Sequence, residues 1–336
     1  MYLRACWNWQ TGTFEGRVRI RVWVQVPLLA PNMRCLLHRN FLRFYMVLKY
    51  TVKKDDSYKT IREVLLNEFC FSHRFLSKMK LNNRIFLNGL PMYVDKFVKE
   101  DDIISVDIDL DETANNVVPT YMELDILYED DSFIIVNKPA GIAIHPSSNH
   151  YSTSLSNGIM YYYNQNKINK KIHLVNRLDK GTSGIVVIAK NEYIQECLIR
   201  QMKDNLFHKE YMAVLEGKLE KRSGTIDAPI KRKENSIIER CVAHDGEKAI
   251  THFEVIKYVG ENTLVKFKLE TGRTHQLRVH SNYICHPIVG DTLYGASSPF
   301  ISRQALHAYK TCFIHPILKR EICIEADLPE DIKKLL

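Results

Sequence analysis

Residues 173–190, HLVNRLDKGTSGIVVIAK, constrain the fold more than any other stretch. A polar segment carrying two glycines runs directly into Ile185-Val186-Val187-Ile188-Ala189. That run is too short for a long helix and is rich in β-branched side chains, which pack well on a pleated surface. It therefore predicts a strand buried on both faces. The loop before it reads Arg177-Leu178-Asp179-Lys180-Gly181-Thr182-Ser183-Gly184. Glycine tolerates positive φ and lets a ligand approach closely. A carboxylate in such a loop can cap its own backbone or act on whatever is held above it.

Three further stretches extend this framework. Phe133-Ile134-Ile135-Val136 predicts a second buried strand, followed by a turn at Asn137-Lys138-Pro139-Ala140-Gly141 in which Lys138 reads as a turn lysine. Residues 208–217 (HKEYMAVLEG) alternate as a strand, and residues 249–259 and 263–270 read as a hairpin joined through Gly260-Glu261-Asn262. Helical spacing appears at 153–165 and at 191–205, the latter capped by Asn191. A third helix opens at Thr274 and carries Leu277, Arg278 and His280. Residues 223–233 read as a looped insertion with Lys231, Arg232 and Lys233 available to RNA. The expected class is α+β, with a mostly antiparallel mixed sheet.

Four strings together resemble the RluA family of RNA pseudouridine synthases: EDDSFIIVNKPAGIAIHP (129–146), RLDKGTSG (177–184), HKEYMAVLEG (208–217) and TGRTHQLRVH (271–280) followed by HPIVGDTLYG (286–295). The resemblance implies that Asp179 is the catalytic carboxylate and that Tyr211 stacks on the target base. It implies that Arg278 is the arginine partner of Asp179, with Arg273 a second candidate assigned to RNA or structure. Arg177 would fill the gap left by the flipped uridine or touch phosphate. Asn176 stands where the family has His, and Gly181 where an acid is frequent.

The implied chemistry breaks a nitrogen–carbon glycosidic bond, turns the freed uracil and rejoins it through carbon. It needs an ionised carboxylate as nucleophile or base, a cation to orient it and a pocket for an extruded base. No cofactor and no metal are expected. His275, His280 and His286 invite a metal reading, but their spacing of five and six residues lacks the i, i+4 pair of a helical zinc site.

Upstream, residues 46–108 read as two short helices and a hairpin. Ile61, Val64, Leu65 and Phe69 follow helical spacing, and Ser72 can cap a second helix with Phe75, Leu76 and Met79 inward. RIFLNG then forms a strand ending in an Asn88-Gly89 turn. This arrangement resembles the S4-type RNA-binding domain, which implies a small α+β module with Arg74, Lys78, Lys80 and Arg84 against phosphates. Residues 109–120 read as an exposed linker allowing relative motion, and 121–336 as the catalytic domain.

Residues 1–45 differ in composition. They hold all three tryptophans and seven arginines against one acid, whereas the rest of the chain carries 40 basic and 38 acidic groups. The net charge of +8 therefore overstates the basicity of the folded part. The segment reads as a transit peptide, as a basic arm or, on balance, as a mis-assigned start ahead of Met46 that is disordered or absent in the native protein. WNWQTGTFEGRV resembles a peptide translated across a tRNA gene.

The eight cysteines form no Cys-x-x-Cys pair and suggest neither a zinc site nor a disulfide framework, which fits a reducing, cytoplasmic setting. No apolar run approaches a membrane span. The expected partner is RNA, most of all large-subunit ribosomal RNA, with the chain acting as a monomer and without a membrane. The competing readings are a non-catalytic RNA-binding protein that assists ribosome assembly, and the same chemistry on tRNA.

Overall fold

The computed structural model describes residues 46–110, 112, 117–147 and 151–336, so the expectations for 1–45 lie outside the described residues. The first sheet is built from β1 (Val47–Thr51), β2 (Ile85–Leu87), β3 (Leu90–Pro91) and β4 (Ile103–Asp107), all antiparallel in the order β1-β4-β2-β3. Between β1 and β2 lie α1 (Ile61–Glu68) and α2 (His73–Leu81). Thr60 and Glu63 close a capping box on α1, and the Ser72 side chain accepts from the Phe75 N–H at the start of α2. Asn88 and Gly89, both at positive φ, make the tight turn that their sequence predicts.

The second body comprises β5 (Asp125–Glu129), β6 (Phe133–Lys138), α3 (Leu155–Gln165), β7 (His173–Leu174), β8 (Ser183–Ala189), α4 (Glu192–Lys203) and β9 (His208–Leu215). It continues through β10 (Ser223–Asp227), β11 (Ile230–Arg232), β12 (Arg240–Val242), β13 (Ile250–Val259), β14 (Asn262–Leu269), α5 (Gln276–Tyr283), β15 (Leu306–Ile314), β16 (Glu321–Glu325) and α6 (Glu330–Lys333). The main sheet runs β10-β13-β14-β9-β15-β8-β6-β5, with β16 added on β15 and β7 on β8. Among the described residues only the β8–β15 pairing is parallel, so the mixed, mostly antiparallel α+β class holds. The expected strand at residues 185–189 is buried throughout in the interior of this sheet, between β15 and β6.

Period-two alternation in β6 and β8 feeds two cores. Ile134, Val136, Val186 and Ile188 join one cluster with Leu155, Ile159 and Tyr163 of α3. Phe133, Ile135, Ile185 and Val187 join another that includes Ile61, Leu65, Phe75 and Met79 of the first body. The core of residues 46–108 is thus continuous with one face of the main sheet. Tyr193 of α4 packs edge-on to Phe71 at 5.3 Å, and Ser72 donates to Glu196 at 2.8 Å.

The structure departs from four sequence expectations. At the junction, Leu110 and Glu112 are buried rather than exposed, and Glu112 meets Lys78 at 2.8 Å and His173 at 2.6 Å. Residues from 46 onward therefore pack as one compact unit, not as two loosely tethered ones. Residues 223–233 contain two strands rather than a looped insertion, because β13 offers β10 an edge and β12 offers one to β11. Thr274 does not cap α5. The Gln276 side chain instead accepts from the Arg273 N–H and the Thr271 hydroxyl at 2.9 Å each. Finally, Cys312 and Cys323 are disulfide-bonded, since the β15–β16 register sets them directly opposite.

Candidate active site

Asp179 sits in the loop from β7 to β8, and three devices hold that loop. The Asn176 amide donates to the Ile185 carbonyl at 3.0 Å and accepts from the Val187 N–H at 2.8 Å, clamping the loop to β8. Gly184, at φ 115°, allows the parallel contact with β15. A Cβ there would lie 2.2 Å from the Ala308 carbonyl oxygen.

Lys138, at the end of β6, is the third device. It is wholly buried and donates to the carbonyls of Pro139, Ile142 and Lys180 at 2.9, 3.0 and 3.2 Å. Burial, helped by the nearby Arg303 cation and opposed by Asp179, pulls its ammonium down to about 7. The expected turn lysine is therefore a staple between the 139–142 turn and the residue beside Asp179. Sequence reasoning missed this role, because three carbonyl partners leave no charge pattern.

Arg278 projects from the first turns of α5 and is buried. Its Nε and Nη2 donate to the two oxygens of Asp291 at 2.7 Å each, a bidentate pair that fixes the plane of the fork. The remaining nitrogen, Nη1, reaches Asp179 Oδ2 at 3.3 Å. The Asp291 side chain has no exposed surface, whereas that of Asp179 is 28% exposed. The Tyr294 ring lies 5.0 Å from the guanidinium carbon, an added cation–π contact. Asp291 and Tyr294 were within a noted string, but only the fold reveals their work.

Tyr211 is buried in β9, opposite Phe267 of β14 and Ala308 of β15. Burial, and then the negative charge of Asp179, push its phenol upward, so it is a neutral hydroxyl within electrostatic reach of that carboxylate. His275 lies 3.8 Å from Asp179 Oδ2 through Nε2. Asp179 therefore touches Arg278, its charge reaches Tyr211, and its own side chain stays partly exposed.

The other cations sit elsewhere or are already engaged. Arg177 is exposed beside Asp179 in the chain. Arg273 is exposed, pairs with Glu247 at 2.5 Å and donates to the Lys248 carbonyl at 3.1 Å. In the first body Arg74 and Lys80 are exposed, with Arg74 3.5 Å from Glu192. Lys78 is held by Glu112 and Glu192, and Arg84 by Asp107. His280 serves Thr251 and the Ala228 carbonyl, and His286 the Glu216 carbonyl, so the three histidines have no common centre. Among the described residues the one metal-type grouping is Cys312, Glu321 and Cys323, in which the cysteines are bonded to each other.

Comparison with known proteins matches these features. The profile described as RNA pseudouridylate synthase covers residues 132–283. The chain is 40% identical over 278 residues to the uncharacterized RNA pseudouridine synthase YjbO of Bacillus subtilis (strain 168), covering 82% of this chain and 98% of the relative. It is 34% identical to ribosomal large subunit pseudouridine synthase D of Buchnera aphidicola, over 79% of this chain and 89% of that one. The solved structure of human RNA pseudouridylate synthase domain containing 1 superposes with a TM-score of 0.53 at 26% identity, covering 63% of this chain and 87% of that one. With its Asp179 loop, buried arginine and mixed sheet, the chain belongs to the RluA family of RNA pseudouridine synthases and is an enzyme that forms pseudouridine in RNA.

Proposed function

We propose that Asp179 is the catalytic carboxylate, oriented by Arg278, and that Tyr211 lies against the extruded uracil. In the reaction the N1–C1′ bond breaks, the ring turns, and a C5–C1′ bond forms. The C5 proton leaves to solvent and N1 regains one, so the change is an isomerisation without redox. The observation that carries this reading is the unequal sharing of Arg278. Two of its nitrogens are committed to Asp291 at 2.7 Å and only one touches Asp179, at 3.3 Å. The pair of acids around one cation retains a net negative charge, and that charge sits on the exposed acid, where a carboxylate must act. Tyr211, kept neutral, can pack against the base and donate a hydrogen bond.

Arg177 and Arg273, both exposed near the loop and near α5, are assigned to the RNA backbone. Residues 46–108 are assigned as an S4-like RNA-binding module, with Arg74 and Lys80 as its outward cations. Large-subunit ribosomal RNA is the proposed substrate, supported by the names of several relatives.

Tritium release from RNA labelled at uracil C5 tests the catalytic assignment. Wild type should release label and Asp179→Asn should not; equal release from both discards the assignment. Transcripts of large-subunit RNA should be labelled targets in preference to tRNA, and the reverse preference would move the substrate to tRNA.

A further inference from the structure

His275 is the N-terminal flanking residue of α5 and adopts the left-handed backbone conformation, at φ 58° and ψ 17°. A side chain in that region crowds its own backbone, and such conformations persist where the surroundings hold them. The Tyr294 side shows what holds this one. His275 Nδ1 lies 2.9 Å from the Tyr294 hydroxyl, and that hydroxyl accepts the Arg240 backbone N–H at 2.8 Å. Arg240 begins β12, so one phenol bridges the β11–β12 hairpin and the imidazole.

One tautomer uses every contact of this ring. With Nδ1 as the acceptor of the Tyr294 hydroxyl, which itself accepts from Arg240, the ring proton lies on Nε2, the nitrogen 3.8 Å from Asp179 Oδ2. The charged groups facing this ring are Asp179, Arg278, Asp291 and Arg240, with Tyr294 as the titratable neighbour. Burial disfavours the imidazolium and outweighs the acids, so the ring is neutral.

We propose that His275 is a positioning residue that aims Nε2–H at Asp179, and that Tyr294 makes this aim depend on the β11–β12 hairpin. The proposal rests on the assignment of Asp179 above. At 3.8 Å the N–H dipole favours one orientation of the carboxylate without cancelling its charge, which a second cation would do. The hairpin presents Arg232 and, at its exposed tip, Ile237 and Ile238 to solvent, where RNA can engage it. Movement of the hairpin then moves Tyr294, and with it the imidazole.

The test uses His275→Gly and Tyr294→Phe in the full chain. Glycine accepts the φ of His275, so the first variant should keep the wild-type melting temperature. Its kcat should fall about tenfold at unchanged KM for RNA, because only orientation is lost. Tyr294→Phe should lower kcat and also raise KM, because it unties the hairpin. On the acid side, protonation turns Nδ1 into a donor and breaks the bond from Tyr294. Wild-type kcat should therefore show an acid limb that His275→Gly lacks. A kcat within twofold of wild type in His275→Gly, or the same limb in both enzymes, overturns the proposal.

A second arm does not depend on turnover. Imidazole 15N spectra should show His275 as the Nε2–H tautomer at neutral pH, with its protonation midpoint lower still in Asp179→Asn. The Nδ1–H form, or a midpoint blind to Asp179, overturns the proposal even if catalysis is confirmed. If wild type releases no tritium, the catalytic reading fails while this arm still decides the contact.

Discussion

Two cations in this chain each stand between two carboxylates, and they do opposite work. Arg278 gives both prongs of its fork to Asp291 and a single longer contact to Asp179. Lys78 meets Glu112 at 2.8 Å and Glu192 at 3.1 Å, almost evenly. The first arrangement satisfies one acid completely and leaves the other partly exposed. The second covers both acids, whose side chains keep 5% and 16% of their surface, and joins α2 to α4 through them. A point charge on a flexible stem can be shared evenly, whereas a planar fork commits itself to one plane. On the proposed function, the uneven sharing leaves Asp179 available, whereas the even sharing at Lys78 makes a clamp.

The largest effect that could break this comparison comes from the exposed acid. Asp179→Asn should lower tritium release by at least about a thousandfold, with the melting temperature little changed, since this side chain carries little of the fold. Retained turnover would mean that the uneven pair is merely structural. Arg278→Met should do more harm to the fold. It strands the buried Asp291 carboxylate at a cost of about 3–5 kcal/mol, read from denaturant unfolding. Arg278→Lys keeps charge but loses the fork, so activity should drop about a hundredfold with a smaller loss of stability.

Lys138 sharpens the contrast, being a cation whose hydrogen bonds all go to carbonyls. Its pKa is lower in the folded than in the unfolded chain, so the unfolded state binds more protons above about 7. Unfolding free energy should therefore rise from pH 7 toward the ordinary lysine range, and that slope should be shallower in Lys138→Met. An identical slope would mean that the staple does not titrate.

Glu112 has the opposite sign. Burial would raise its carboxyl, but hydrogen bonds from His173 and Lys78 outweigh burial and bring it to about 2. Its contribution is complete above the ordinary carboxylate range and is lost as pH falls toward 2. Glu112→Gln should remove that part of the acid sensitivity. Smallest of all, Arg74→Gln and Lys80→Gln together should reduce the salt dependence of RNA binding by a slope of about 2. Lys78→Gln should leave that slope unchanged and instead loosen α2 from α4, by about 1–2 kcal/mol given its partial exposure.

Much of the fold was legible from local pattern. The buried strand at 185–189, the caps at Ser72 and Asn191, and the Asn88-Gly89 turn each follow from a few neighbouring residues. Asp179 stood out because its glycine-flanked loop meets a strand, and the family resemblance supplied its chemistry. Other features had no local signal. Nothing around Lys138 announces three carbonyls brought together from two turns. The Asp291 partner of Arg278 is thirteen residues away, across a loop. Cys312 and Cys323 meet through strand register alone. Thr274 looked like a cap, yet α5 has no side-chain cap, and Gln276 instead ties the helix start to Thr271 and Arg273.

Among the described residues no helix is long and apolar enough to cross a membrane. By itself the order of residues determined which segments become strand, helix or turn, since hydrophobic period, caps and glycines act over a few positions. Only the tertiary structure decided which charges cancel and which stay available. Lys78 and Arg278 look alike on paper, and their fates were set by acids up to 114 residues distant that folding carried within 3.3 Å. In the low-dielectric interior such pairings are strong, and they join residues far apart in the chain, so no local pattern can encode them.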